Sequence, residues 1–298
     1  MRKAIIILVF IPFITFSQYR WDFGAHLGGT NYLGEIGGGA GVGKKFIADL
    51  KWTKTRYIMG GFARYKFSQY ISAKGSVNYI RISGDDALSS NYGRRGRNLS
   101  FVNGIVDAEV VGQFFFLQIH DIGGSYKYKN DLRIYGFAGV SGFYNNPKTK
   151  YDGAMVALRP LKTEGKSYKA FGIGIPMGFG AYMTLQRIIR VGIEFAYIKT
   201  FTDYLDDVSS VYADPATLGS PMAVALANRS AEYTSDPGYL AQYAPGQKRG
   251  ETKYKDTYLY TTLTGSYVLK GKSAFYRARY GGAFHKNKFK KRRVRAKF

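Results

Sequence analysis

The strongest constraint in this chain is a two-residue periodicity that recurs along most of its length. From Ile71 to Asn78, Ile71, Ala73, Gly75 and Val77 alternate with Ser72, Lys74, Ser76 and Asn78. From Val106 to Phe116, Val106, Ala108, Val110, Phe114 and Phe116 alternate with Asp107, Glu109 and Gln113. From Arg190 to Tyr197, Val191, Ile193, Phe195 and Tyr197 alternate with Arg190, Gly192 and Glu194. Successive side chains of a strand point to opposite faces, so each segment has one apolar face and one polar face.

Eight such segments are expected, at about 21–33, 56–67, 70–83, 101–118, 131–145, 169–184, 189–201 and 256–270, with errors of a few residues at each end. The pattern also leaves room for ten. Pro176 stands inside the sixth, where a central strand tolerates it only at an irregularity in the ladder. The connections alternate in length. Ser68-Gln69 and Leu185–Ile188 are short, 119–130 is intermediate, and 34–55, 84–100, 146–168 and 202–255 are long. Short turns at one end and long loops at the other are the pattern of a transmembrane antiparallel β-barrel, with the short turns periplasmic and the long loops extracellular.

A soluble β-sandwich also alternates apolar and polar positions. Two observations favour the barrel. The chain carries 37 Gly, 26 Tyr and 21 Phe in 298 residues, a bias that suits strands and aromatic girdles. Arg64, Lys66, Lys74, Asp107, Glu109, Arg190 and Glu194 fall opposite the apolar face with both signs present. In a narrow eight-stranded barrel they would pair and fill the interior, as plugs and not as a permeation path.

Export fits the same picture. Arg2 and Lys3 precede an apolar run, Ala4–Phe16, and then Ser17 and Gln18, which reads as a signal peptide cleaved after Ser17. The run is shorter than the roughly 20 residues a spanning helix needs. No cysteine occurs, which removes disulfides, thiolate metal sites and a lipidated cysteine. The expected division is a signal peptide at 1–17, an outer-membrane barrel at 18–271 and a basic periplasmic tail at 272–298. With an even strand count both termini face the periplasm.

Several motifs resemble functional ones. Gly38 to Lys45 approaches a phosphate-binding loop, but Lys45 stands where Ser or Thr must hold magnesium, so a surface loop is the expectation. Gly93-Arg94-Arg95-Gly96-Arg97 suggests nucleic acid, which an exported chain does not meet. With Asp85 and Asp86 just upstream, these arginines are expected to pin their own loop. Asp203, Asp206 and Asp207 could hold calcium but lack EF-hand spacing. The histidines His26, His120 and His285 belong to no nucleophile–base pattern, so no enzyme activity and no cofactor are expected.

The tail is the remaining feature. Lys270 to Phe298 holds twelve Lys or Arg and no Asp or Glu, half of the net charge of +24. Lys286, Lys288, Lys290, Lys291, Arg292, Arg293, Arg295 and Lys297 form a nearly continuous cationic run that repels itself too strongly to build a core. Such a run is either a solvated tail, a tail held at anionic headgroups, or an arm for an acidic protein that orders on binding.

Three stretches resemble the PorG-like outer-membrane proteins of Bacteroidota. They are Gly28–Glu35, Asp85-Asp86 through Arg94-Arg95-Gly96-Arg97-Asn98-Leu99-Ser100-Phe101, and Thr200–Ser209 with its Thr-Asp-Tyr-Leu-Asp-Asp-Val-Ser string. The resemblance covers about Tyr19 to Lys270 and leaves the tail outside it. It implies a non-enzymatic component of the type IX secretion system, which in some species is coupled to gliding motility. It also implies partners: outer-membrane lipid, and a periplasmic ring built from a PorK- or GldK-like lipoprotein and a PorN- or GldN-like protein. In this reading Asp85, Asp86, Arg94, Arg95, Arg97, Asn98, Asp203, Asp206 and Asp207 fix the extracellular loops. A surface adhesin or envelope-stabilising barrel acting through 202–255 is the alternative.

Overall fold

In a computed structural model of the chain, residues 20–36, 54–120 and 130–269 are described. The expected signal segment, the Gly38–Lys45 motif, His285 and the basic tail lie outside them. Ten strands form one sheet: β1 (Trp21–Leu33), β2 (Arg56–Lys66), β3 (Ile71–Asp85), β4 (Ser100–Ile119), β5 (Asp131–Tyr144), β6 (Pro147–Tyr151), β7 (Ala154–Ala157), β8 (Phe171–Leu185), β9 (Ile189–Thr200) and β10 (Thr257–Val268). Eight of them close into an antiparallel barrel, in the order β3-β2-β1-β10-β9-β8-β5-β4, with β3 pairing β4 to complete the ring. All eight expected segments are barrel strands.

The 146–168 connection differs from the loop expected there. It contains the β6–β7 hairpin, which extends the wall above the barrel by pairing β6 with Val102 and Asn103 of β4. Pro176 is accommodated at a gap in the ladder. The β5–β8 ladder lapses between Ala138↔Met177 and Ser141↔Gly174, so the missing N–H is not called on, while β9 still pairs through Ile198.

Parity sets what faces where. Odd residues of β1, β2, β3, β8, β9 and β10 point outwards, and even residues of β4 and β5 do the same. Leu27, Met59, Val77, Val110, Val140, Ile173, Ile193 and Leu263 are all exposed there, a continuous apolar band with no protein against it. Aromatics mark both edges: Trp21, Phe67, Tyr70, Phe116 and Tyr267 towards the short turns, Tyr57, Tyr79, Tyr144 and Phe171 towards the long loops. On β4 the exposed run from Phe116 to Val106 covers eleven residues, ten steps along the strand. At about 3.3 Å per residue and a tilt near 40°, that is about 25 Å along the axis, the height of the apolar band of a membrane barrel. A polar inside and an apolar outside invert the soluble arrangement, and this chain is a transmembrane barrel of the outer-membrane type.

An eight-stranded barrel is just wide enough for side chains to fill it. The glycines of β8 are part of that filling. A Cβ on Gly172 would lie 2.5 Å from the Phe143 ring, and one on Gly180 2.7 Å from the Tyr135 ring. Small positions on one wall give way to large side chains from the next.

Candidate functional site

The lumen is built in two layers. In the lower one, Lys74 lies 2.5 Å from Glu194 and 3.9 Å from Glu109. Arg64 reaches Asp22 at 3.4 Å and Glu194 at 3.6 Å, and Arg190 reaches Asp22 at 2.8 Å. Neutral donors complete the carboxylates: Tyr135 to Glu194, Ser76 to Glu109 at 2.6 Å, Ser266 to Asp22 at 2.9 Å and Asn78 to Asp107 at 3.1 Å. The cations also lie on aromatic faces, Arg64 at 4.8 Å from the centre of Tyr182 and Lys74 at 5.4 Å from that of Phe137. These charges are almost completely shielded from solvent. Towards the long loops an apolar layer closes over them, made of Ile58, Ile80, Ile82, Ile105, Ile198, Phe101 and Phe143. The lumen is sealed by its own side chains.

Above it the long connections form a cap latched by two arginines. The short helix α1 (Tyr92–Arg97) starts on Asn91, whose side chain accepts from Arg94 N–H, and stops at Asn98 in the left-handed conformation, φ 55°. That stop turns Arg97 inwards onto Asp86 in a forked contact of 2.7 and 2.9 Å. Its remaining donors go to the Arg249 carbonyl at 2.7 Å and the Glu35 carbonyl at 3.0 Å. Arg249 in turn donates to Glu164 at 3.0 Å, the Asp207 carbonyl at 2.6 Å and the Ala227 carbonyl at 3.1 Å. Ala227 ends α2 (Pro221–Ala227), so one guanidinium ties the 146–168 connection to two points of its own 202–255 connection.

The Thr202–Ser209 string does not project outwards. It drops into the barrel mouth, with Leu205 and Val208 fully buried among Ile36, Leu99 and Phe101. Asn103 of β4 donates to the Leu205 carbonyl at 2.8 Å, and Asp256 accepts from Leu205 N–H at 2.9 Å and from Tyr32 at 2.5 Å. Asp206 accepts from the N–H groups of Ile36 and Val208, at 3.3 and 3.0 Å. Asp207 accepts from Thr163 at 2.5 Å and Tyr168 at 2.6 Å, and Asp203 from Ser209 at 2.6 Å. The three aspartates considered for calcium each face separate partners, and the described residues hold no group of three or more metal-ligating side chains.

Burial raises several of these acids. Glu35 is pushed up to about 8 by burial and by Asp206 beside it. Asp206 rises to about 7 and Asp207 to about 6, both chiefly through burial. Asp256 rises through burial and the proximity of Asp206.

Of the loop residues singled out in the sequence, Asp86 and Arg97 meet each other. Asp85 instead pairs with Lys54 at 3.1 Å and caps Ala87 N–H at 3.0 Å. Asn98 donates to Glu232 at 3.3 Å. Arg94 and Arg95 form no ion pair among the described residues. Sequence reasoning missed Arg249, Glu164, Asp256 and Asn103. Arg97 and Arg249 are 152 residues apart, and no local spacing signals such a contact. For chemistry there is little to use. His26 is sealed in the lumen with neither ring nitrogen bonded, and His120 lies 3.5 Å from Asp131 on the short-turn rim.

A family model described as a domain of unknown function, DUF6089, matches residues 1–217. No curated protein matches the chain. Among solved structures, the attachment invasion locus protein Ail of Yersinia pestis, in complex with the heparin analogue sucrose octasulfate, is similar at TM-score 0.35 and 9% identity, covering 84% of this chain and 98% of that one. The N-terminal β-barrel domain of Pseudomonas aeruginosa OprF is similar at TM-score 0.34 and 8% identity, with coverages of 84% and 98%. Acinetobacter baumannii CarO is similar at TM-score 0.28 and 12% identity, with coverages of 85% and 99%.

Proposed function

The chain belongs to the DUF6089 family, and for this member we propose a non-enzymatic role in the outer membrane: anchoring or positioning the periplasmic ring of a type IX, gliding-associated secretion machine. The observation that carries this reading is the sealed lumen. A barrel filled by ion pairs and closed by an apolar layer offers its surfaces, not a passage. The strand directions support the geometry of an anchor. Trp21 and Val268 open on the same rim as the Phe67–Tyr70 and Gln186–Ile188 turns, opposite the cap, and the arm of this proposal is the later run of Lys286, Lys288, Lys290, Lys291, Arg292, Arg293, Arg295 and Lys297. With both termini in the periplasm, these cations would meet a PorK/GldK-like lipoprotein and a PorN/GldN-like partner. Weak contacts repeated around a ring would multiply by avidity. The resemblance of Gly28–Glu35, Arg97–Phe101 and Thr200–Ser209 to PorG-like proteins points the same way.

The test is a mild-detergent pull-down of the tagged protein from outer membranes, with co-purifying proteins identified by mass spectrometry. Recovery of the ring lipoprotein and its partner, lost on deleting Lys286–Phe298, is the expected result. A barrel that comes out alone while the ring stays intact would contradict the anchoring role.

One observation favours the adhesin alternative. The cap exposes Tyr92 and Tyr233, and Tyr239 packs edge-on to Tyr92 at 4.9 Å, giving an outward aromatic surface. Removing residues 211–247 would abolish an adhesin and leave secretion intact.

A further inference from the structure

The outer wall of β3, β4 and the β6–β7 hairpin changes character just above the apolar band. Tyr79 pairs with Val106 at the band's upper edge. One pleat higher, Arg81 lies opposite Gly104, over which the Tyr79 ring leans, its hydroxyl 2.9 Å from where a Cβ would stand. Another pleat up, Val102 of β4 pairs with Lys148, and the hairpin carries the surface on through Lys148 opposite Ala157 and Lys150 opposite Met155. Directly opposed residues of antiparallel strands share a face. Lys148 and Lys150 therefore continue the lipid-facing side of β4, while Thr149, one residue out of phase, is buried.

Strand geometry gives the heights. Two residues at about 3.3 Å each, tilted by about 40°, put Arg81 about 5 Å above the band, Lys148 about 10 Å and Lys150 about 15 Å. That interval is the headgroup zone of a bilayer, whose hydrocarbon core of about 30 Å grows to 40–45 Å with the headgroups. The Cα atoms of Arg81 and Lys148 are separated by two strand spacings and two residues, about 12 Å, within reach of one headgroup for two long side chains.

The charges are uncommitted. Lys54 is taken by Asp85, Arg229 by Glu232 and Lys248 by Glu251, whereas Arg81, Lys148 and Lys150 meet no carboxylate among the described residues. Asp152, the acid of the hairpin, sits in the turn at its tip, beyond Tyr151. Met155 is exposed beside Lys150, which suits a surface against acyl chains and headgroups better than one against water.

We propose that Arg81, Lys148 and Lys150 form a binding site for the phosphate groups of an outer-leaflet phosphoglycolipid, continuous with the apolar band that holds its acyl chains. The site rests on the outer-membrane reading and adds a specific lipid to it. Arg81, anchored on the barrel wall, is the lower contact. The hairpin supplies the upper two, which gives it a role: it raises the lysines to headgroup height on a paired strand instead of a free loop. A lipid source is favoured over free phosphate because the cations stand directly above the acyl-chain surface.

The experiment uses the full chain in phosphatidylcholine nanodiscs doped with diphosphorylated lipid A or with its dephosphorylated form. Retained lipid is counted by native mass spectrometry, and heat-modifiable gel migration reports the folded barrel. The wild-type protein is expected to retain the diphosphorylated form preferentially. The triple variant R81Q/K148Q/K150Q should lose on the order of a hundredfold, roughly fivefold per cation, while K148Q alone, outside the barrel wall, loses roughly fivefold. The variant K162Q/K166Q/K253Q removes the same charge from the cap and should change nothing. A folded wild-type barrel without preference for the phosphorylated lipid, or equal losses in the two triple variants, overturns the site and leaves the transmembrane reading standing. Failure to fold in every disc would overturn both.

Discussion

The lumen and the cap both bury charged side chains, yet they do so by different means. In the lumen the partners come from neighbouring or facing strands, and each ion-paired carboxylate is shared among several donors: Glu194 serves Lys74, Arg64 and Tyr135. In the cap two arginines act as hubs, and most of what they hold is backbone carbonyl. The lumen network therefore holds strands whose pairing is already fixed by the ladder. The cap network holds loops that have almost no other regular structure. Loss of a lumen charge should strain the whole barrel, and loss of a cap arginine should release loops from a barrel that persists.

The largest effect is expected from breaking the lumen. Glu194→Gln leaves Lys74 and Arg64 buried with a lost partner, and removing one member of such a pair costs about 3–5 kcal/mol. Urea unfolding in detergent micelles should show that loss as a global shift of the midpoint. The combined change Lys74→Met with Glu194→Gln should recover part of it, because fewer uncompensated charges remain. A midpoint unchanged by Glu194→Gln would remove the distinction between the two regions.

Next in size is Arg249→Gln. About 2–4 kcal/mol of local stability should go with the charged hydrogen bonds to Glu164 and to the Asp207 and Ala227 carbonyls. The readout is hydrogen exchange: the amides of Leu205 and Val208 should lose protection while those of β3 and β4 keep it. Global unfolding on this substitution would mean that the cap supports the barrel and not the reverse.

The third test is pH, and it falls on the cap. Glu35, Asp206 and Asp207 have folded values of about 8, 7 and 6, all above the usual carboxylate range. The folded cap thus binds more protons than the open one between about pH 4.5 and 8, so its stability falls as pH rises through that window. Exchange at Leu205 and Val208 should quicken from pH 6 to pH 8 once the intrinsic chemistry is corrected. An opposite trend would mean that these acids are ionised when the cap is shut.

How much of the molecule was legible in the sequence follows the same division. Period two in β3, β4 and β9 exposes the alternation directly, so the barrel, its lipid face and the inward Lys74, Asp107, Glu109, Arg190 and Glu194 follow from the order of residues alone. The pairing of Lys74 with Glu194 does not, because it crosses the lumen between residues 120 apart. The β6–β7 hairpin was missed because β6 alternates across only five residues, Pro147 to Tyr151, and pairs with β4 at only two positions. In the cap, the Arg97–Asp86 contact is local enough to expect. Arg249 reads in sequence as one more cation among Lys248, Lys253 and Lys255, and nothing in its neighbours signals burial.

Whether the lumen is closed, so that the barrel works through its surfaces, is tested most directly by single-channel recording in planar bilayers. Wild-type protein and Arg249→Gln should both be silent under applied voltage, since the seal lies in the ion-paired and apolar layers and not in the cap. Steady, reproducible conductance steps from the folded wild-type barrel would contradict it.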